Sequence, residues 1–159
     1  MGATFERQLD PDWDTIKGIW DLCLQFLLAQ GLGQDVAYGL CMSTQELLEN
    51  AVKYGDWSGP SKVDLAIRIG SREVTIEVKS PTSADAEHLR KFDESIQWIR
   101  GYQDPFEAYV ERMKRVSSQA FVPGKSGLGL TRVAYEGQCI LDFYVDDHSV
   151  LAVSAVYHR

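Results

Sequence analysis

From Lys62 onward the apolar residues fall on every second position: Val63, Leu65, Ile67 and Ile69, then Val74, Ile76 and Val78 beyond a Gly70-Ser71 turn. Side chains two residues apart share one face of an extended chain, so this pattern predicts an antiparallel hairpin covered on one side. Thr4 to Leu9 is a shorter strand candidate. Between these segments the spacing is helical. Ile16, Ile19, Trp20, Cys23, Leu24, Leu27 and Leu28 follow the helix-start residues Pro11, Asp12 and Asp14, which predicts one amphipathic helix. Gly31-Leu32-Gly33 breaks it. A second helix is expected from about Gln34 to Tyr54, with Val36, Leu40, Leu47, Leu48 and Ala51 near one face and Gly55 at its end.

Beyond the hairpin lies a long polar and helical stretch with the character of an insertion. Ile96, Ile99, Phe106, Tyr109, Val110, Met113 and Val116 are expected to line helices interrupted near Gly101 to Pro105. The chain then enters the loop PGKSGLGL, a short helix to about Glu136, and two strands, Gln138 to Val145 and Ser149 to Tyr157, joined at Asp146-Asp147-His148. Helices grouped against strands, rather than alternating with each of them, predict an α+β fold: a two-layer α/β sandwich on a mostly antiparallel sheet.

Composition narrows the function classes. With 159 residues and 45% apolar content, residues 1–159 suit a single domain with a core that needs neither disulfides nor structural metal. A formal charge of -7 argues against broad attachment to nucleic acid or an anionic membrane, while leaving room for a local basic phosphate pocket. The opening MGATFERQLDPDW has neither the basic segment nor the apolar run of a secretory signal, and a cytoplasmic protein is expected. Cys23, Cys41 and Cys139 sit in apolar patterns and read as buried free thiols; His88, His148 and His158 lack metal-ligand spacing and read as surface or turn residues. Trp13, Trp20, Trp57 and Trp98 fit a core or a dimer surface, with the core the commoner use.

Two segments carry candidate chemistry. In STQELLENAVKYG, Glu46 and Asn50 are four residues apart and project from one helix face, with Lys53 a turn beyond. A solvated helix face explains Glu46, Glu49 and Lys53 equally well. Asn50 is a mediocre helix former whose amide oxygen suits Mg²⁺ that already carries phosphate oxygens. The loop Gly124 to Leu130 has three glycines in seven residues directly before a helix. Such a loop lets backbone N–H groups approach phosphate, although a flexible turn has the same composition, and Lys125 precedes the last glycines, so GxxxxGK[ST] is not met.

Taken together, ELLENAVKYG on a helix and GLGL before a later helix, with a hairpin and an insertion between them, resemble the GHKL ATPase superfamily of histidine kinases, gyrase-type ATPases and anti-sigma-factor kinases. The resemblance implies an N box with Glu46 as general base and Asn50 as the Mg²⁺ ligand. It implies a second glycine box in which Lys125, Gly127, Leu128, Gly129 and Leu130 contact phosphates, Lys53 adding positive charge, and an ATP lid at about 81–125. ATP and Mg²⁺ are the implied cofactors. His88 follows the N box, so it does not take the place of a phosphoacceptor histidine.

The stand-alone arrangement is similar to bacterial anti-sigma-factor serine/threonine kinases, and IQWIRGYQDPFEAYVERM to the SiaB-like protein kinases. The implied function is signal transduction by phosphorylation of Ser or Thr on a small regulatory partner, either antagonist-like or sigma-factor-like; a homodimer is compatible with it. One departure stands out. Ser80-Pro81-Thr82-Ser83-Ala84 occupies the place of the DxGxG box, and Ser80 falls where the family has the aspartate that accepts from the adenine amino group. The alternative is therefore a non-catalytic module of this fold that sequesters a partner with weak or no ATP binding.

Overall fold

A computed structural model describes residues 2–82, 86–102, 104–117 and 129–159. The strands are β1 (Thr4–Leu9), β2 (Val63–Ile69), β3 (Glu73–Pro81), β4 (Cys139–Val145) and β5 (Val150–His158). They form one sheet in the order β1-β2-β3-β5-β4, with every neighbouring pair antiparallel. The alternation seen in the sequence sets the register: Leu65 lies opposite Val78, Ile67 opposite Ile76, and Ile76 in turn opposite Ala155. All five side chains are buried, so a slip of one residue would turn the apolar row outward.

The helices make the second layer, and the expected α+β sandwich is the observed fold. The first predicted helix is two: α1 (Trp13–Gly18), capped by Asp12, whose side chain accepts from the Thr15 N–H at 2.7 Å, and α2 (Trp20–Ala29). The break is at Ile19, whose N–H reaches back only three residues, to the Ile16 carbonyl at 3.4 Å. This tightened turn follows Gly18, a poor helix former, and keeps both isoleucines in the core. Gly31, at φ 83°, takes the left-handed conformation that ends α2.

Helix α3 (Gln34–Tyr54) is the central element of the helical layer, in contact with α1, α2, β2, β3 and the short helix α6 (Gly129–Tyr135). Leu40, Leu47, Leu48 and Ala51 are buried. So are Ser43 and Thr44, whose hydroxyls donate to the Gly39 and Leu40 carbonyls at 2.8 Å, which removes the cost of an unbonded buried hydroxyl. Trp57 closes the helix end, its Nε1 donating to the Ala51 and Val52 carbonyls.

The insertion forms α4 (Ala86–Arg100) and α5 (Pro105–Ser117). Ile96 and Ile99 of α4 join the main core as expected. Phe106 and Met113 are only partly covered, each 46% exposed. Helix α5 packs on α4 and α6 instead of the sheet, so fewer of its apolar side chains can be covered; Phe106 is partly sheltered by the Tyr135 ring at 5.1 Å. Trp20, Trp57 and Trp98 pack against the core, whereas Trp13 is exposed. The three cysteines are buried free thiols, with Cys23 and Cys41 bringing their Sγ atoms within 3.6 Å across α2 and α3. Burial pushes the Cys139 thiol up to about 11, which keeps it protonated and unreactive at neutral pH.

Leu48 of α3 is fully buried in the core. Truncation to alanine is expected to cost about 2–5 kcal/mol, to be read from the midpoint of chemical denaturation against the unsubstituted protein.

Candidate functional site

The C-terminal half of α3 presents two neighbouring features, a pocket and a buried carboxylate. The pocket is a narrow one that lies between α3, the end of β3, β5 and α4. Leu47, Val78, Leu151 and Val153 make its apolar floor, and Tyr54 and Phe92 supply aromatic faces. Phe92 is braced edge-on against Phe143 of β4, with ring centroids 5.1 Å apart. A flat, largely apolar ligand with a polar edge suits such walls.

The polar edge comes from Asn50, Ser80 and Thr82. Ser80 and Thr82 are each only 5% exposed. The Thr82 N–H is bonded to the Ser149 carbonyl at 2.8 Å, but its Oγ1 is buried and has no hydrogen-bond partner. It is the only such side-chain atom among the described residues. A buried hydroxyl left unbonded costs about 1–3 kcal/mol, so a packing role alone would be served better by valine.

The apolar alternation ends at Val78, yet β3 runs on through Ser80 and Pro81, opposite Leu151 and Val150. Proline fits because its carbonyl faces away from β5, accepting from the Asp56 N–H at 2.8 Å. The nitrogen of an extended residue faces the same way as its carbonyl, and the β2 ladder has already ended at Lys79. The absent N–H therefore leaves no ladder bond unmade.

Beside the pocket, Glu46 meets the helix that follows the glycine-rich loop at two residues, Arg132 and Gly129. Its side chain is 14% exposed, and Oε1 pairs with Arg132 of α6 at 3.2 Å. A Cβ on Gly129 would meet Oε2 at 2.6 Å, so no larger residue fits there without moving the carboxylate. Arg132 also pairs with Glu136 at 3.3 Å, which divides its charge between two acids. Burial, followed by repulsion from Glu49, pushes the Glu46 carboxyl above the usual range; Arg132 and Lys53 pull it back, and Glu136 adds to the rise. A carboxyl raised in this way holds its proton to higher pH than a free glutamate does.

The structure thus brings Glu46 to Gly129, and Asn50 and Ser80 to the pocket beside them. Lys53 is exposed but close enough to influence Glu46. Leu130 turns its side chain onto the core, so only its backbone is free to face a ligand. Lys125, Gly127 and Leu128 lie outside the described residues. Sequence reasoning missed Arg132 and Thr82. Arg132 meets Glu46 across 86 positions of chain, and nothing local to it signals the pairing.

The sequence matches no family model and no curated protein. Among solved structures, a chain from the crystal structure of the SiaB–SiaC complex of Pseudomonas aeruginosa aligns with a TM-score of 0.72 and 16% identity, over 96% of this chain and 88% of that one. The two chains share a fold. At this identity the likeness concerns the overall arrangement of sheet and helices.

No helix among the described residues is long and apolar enough to cross a membrane. Among those residues, no group of three or more His, Cys, Asp or Glu side chains is arranged to hold a metal. Asn50, with phosphate oxygens from a nucleotide, is the chain's own candidate for Mg²⁺.

Glu46 offers a test of its surroundings. A carboxyl raised in the folded state stabilises the fold fully below its unfolded value and loses that contribution as pH rises through the folded value. Glu46→Gln is therefore expected to raise the melting temperature at pH 7, with the gain closing as pH falls below about 4. Thermal denaturation of both proteins across that range checks it.

Proposed function

We propose that this protein is an ATP-binding regulatory protein kinase of the anti-sigma-factor, partner-switching type, which phosphorylates Ser or Thr on a small partner protein. The observation that carries the reading is the single face of α3 from which Glu46 meets Gly129 while Asn50 lines the adjoining pocket. An acid, a close backbone and a flat pocket are the parts that phosphoryl transfer requires. The fold shared with a chain of the SiaB–SiaC complex, by its name an assembly of two proteins, supports a partner protein as the substrate.

Tests of fit favour a nucleotide. The pocket has an apolar floor with a buried unpartnered hydroxyl, and Gly129 keeps the space beside Glu46 clear of any side chain. Bound Mg-ATP would supply the phosphoryl group and the cation that neutralises its charge. Asn50 would give its amide oxygen to Mg²⁺, and the backbone at Gly129 and Leu130 would approach the phosphates, as would Lys125, Gly127 and Leu128 by the resemblance to the GHKL superfamily. Glu46 would take the proton from the attacking hydroxyl. Its raised affinity for protons favours this step, and Arg132 holds the carboxylate in place.

A second reading, a non-catalytic module that sequesters its partner, is favoured by two observations. Ser80 stands in a strand where the GHKL superfamily has an aspartate-bearing loop, and Glu46 is already engaged by Arg132. Titration calorimetry with Mg-ATP separates the readings. Micromolar binding that loses its Mg²⁺ dependence in Asn50→Ala is expected, and absence of heat would instead favour the module. In a phosphorylation assay with the partner, Glu46→Gln is expected to slow transfer by about 100-fold or more while nucleotide binding persists; an unchanged rate would remove Glu46 from the chemistry.

A further inference from the structure

The pocket's polar end is made from hydroxyls. Ser80 and Thr82 alternate with Pro81 along the extended end of β3, both are 95% buried (5% exposed), and both line the cavity. Thr82 Oγ1 has no partner there. Main-chain bonds fix this segment on both sides, from Asp56 to the Pro81 carbonyl and from Thr82 to the Ser149 carbonyl, each at 2.8 Å. The hydroxyl is thus presented by a rigid strand to a space bounded by Tyr54 and Phe92.

A carboxylate can only accept hydrogen bonds, whereas a hydroxyl carries one donor and two acceptor sites and rotates to suit its partner. The distinction matters for purines. Adenine presents a donor at its 6-amino group where guanine presents an acceptor at O6. An ionised acid there welcomes the first and repels the second. A pair of hydroxyls can meet either edge.

We propose that Thr82 is a base-contacting residue and that the Ser80–Thr82 hydroxyl pair makes this a purine site that holds guanine and adenine nucleotides alike. The inference rests on the nucleotide reading above and adds to it the identity of the base and the residue that reads it. Thr82 is a specificity determinant that the resemblance to the GHKL superfamily does not assign. Its unbonded Oγ1 is the group that a purine edge satisfies, so the cost of burying it is recovered when the base arrives.

The experiment is calorimetric titration of the full chain with Mg-ADP, Mg-GDP and Mg-CDP, repeated on Thr82→Val. ADP and GDP are expected to bind with affinities within about fivefold of each other, with CDP at least tenfold weaker, because the smaller base reaches less of the floor. Thr82→Val keeps the shape and removes a hydroxyl that has no internal bond to lose. Its melting temperature without nucleotide is expected to be unchanged or higher, while both purine affinities fall about 3- to 10-fold. Ser80→Asp is expected to shift preference toward ADP by rejecting GDP.

Binding of ADP more than 30-fold tighter than GDP, or purine affinities unaltered by Thr82→Val, would overturn this inference and leave the nucleotide reading standing. Failure of all three nucleotides to bind the unsubstituted chain would overturn both.

Discussion

The cleft depends on the burial of one face of α3 against the sheet. Leu47, Leu48 and Ala51 lock the rotation of the helix, because turning it by one residue would expose side chains that now lie at 7% exposure or less. That lock has a polar consequence. Positions 46 and 50 lie one residue before Leu47 and Ala51 respectively, so their side chains emerge where the apolar contact ends. The same constraint that stabilises the domain therefore aims the carboxylate and the amide, and the Trp57 bonds to the last carbonyls of α3 keep that end from fraying.

Electrostatics around Glu46 are balanced rather than one-sided. Burial and two neighbouring acids favour the protonated form, while Arg132 and Lys53 favour the charged one. A fully compensated carboxylate would be a poor base, and an uncompensated one would be neutral and mispositioned. Arg132 mediates between these limits because Glu136 shares its charge. It also ties α6 to α3, so the helix that follows the glycine-rich loop is coupled to the acid by an ion pair and by the Gly129 contact.

Much of this was legible in the sequence where the signal is periodic. The alternation at 63–69 and 74–78 gave the hairpin because each inward residue there is apolar. The helical run at 34–54 gave α3 with its bounds because Gly33 and Gly55 flank it. Other features were illegible for physical reasons. The interruption at Ile19 leaves the apolar spacing intact, so periodicity cannot register it. The passage of β3 through Pro81 contradicts proline's usual role and depends on which way a carbonyl faces. Phe106 and Met113 have the spacing of core residues, but α5 packs on α4 and α6 and leaves each of them 46% exposed. At the site, Glu46 and Asn50 were marked by helical spacing and by resemblance, whereas Arg132 and Thr82 gain their meaning only from distant chain.

The continuation of β3 past Ser80 has a mechanical consequence. A rim made of loop can wrap around its guest, but a rim made of strand, stitched to Ser149 on one side and to Asp56 on the other, behaves as a fixed mould. Fit at that end is then settled by the shape and bonding of what enters, with little conformational entropy left to surrender on arrival. Any adjustment to the guest must come from the opposite wall, where Phe92 rides on α4.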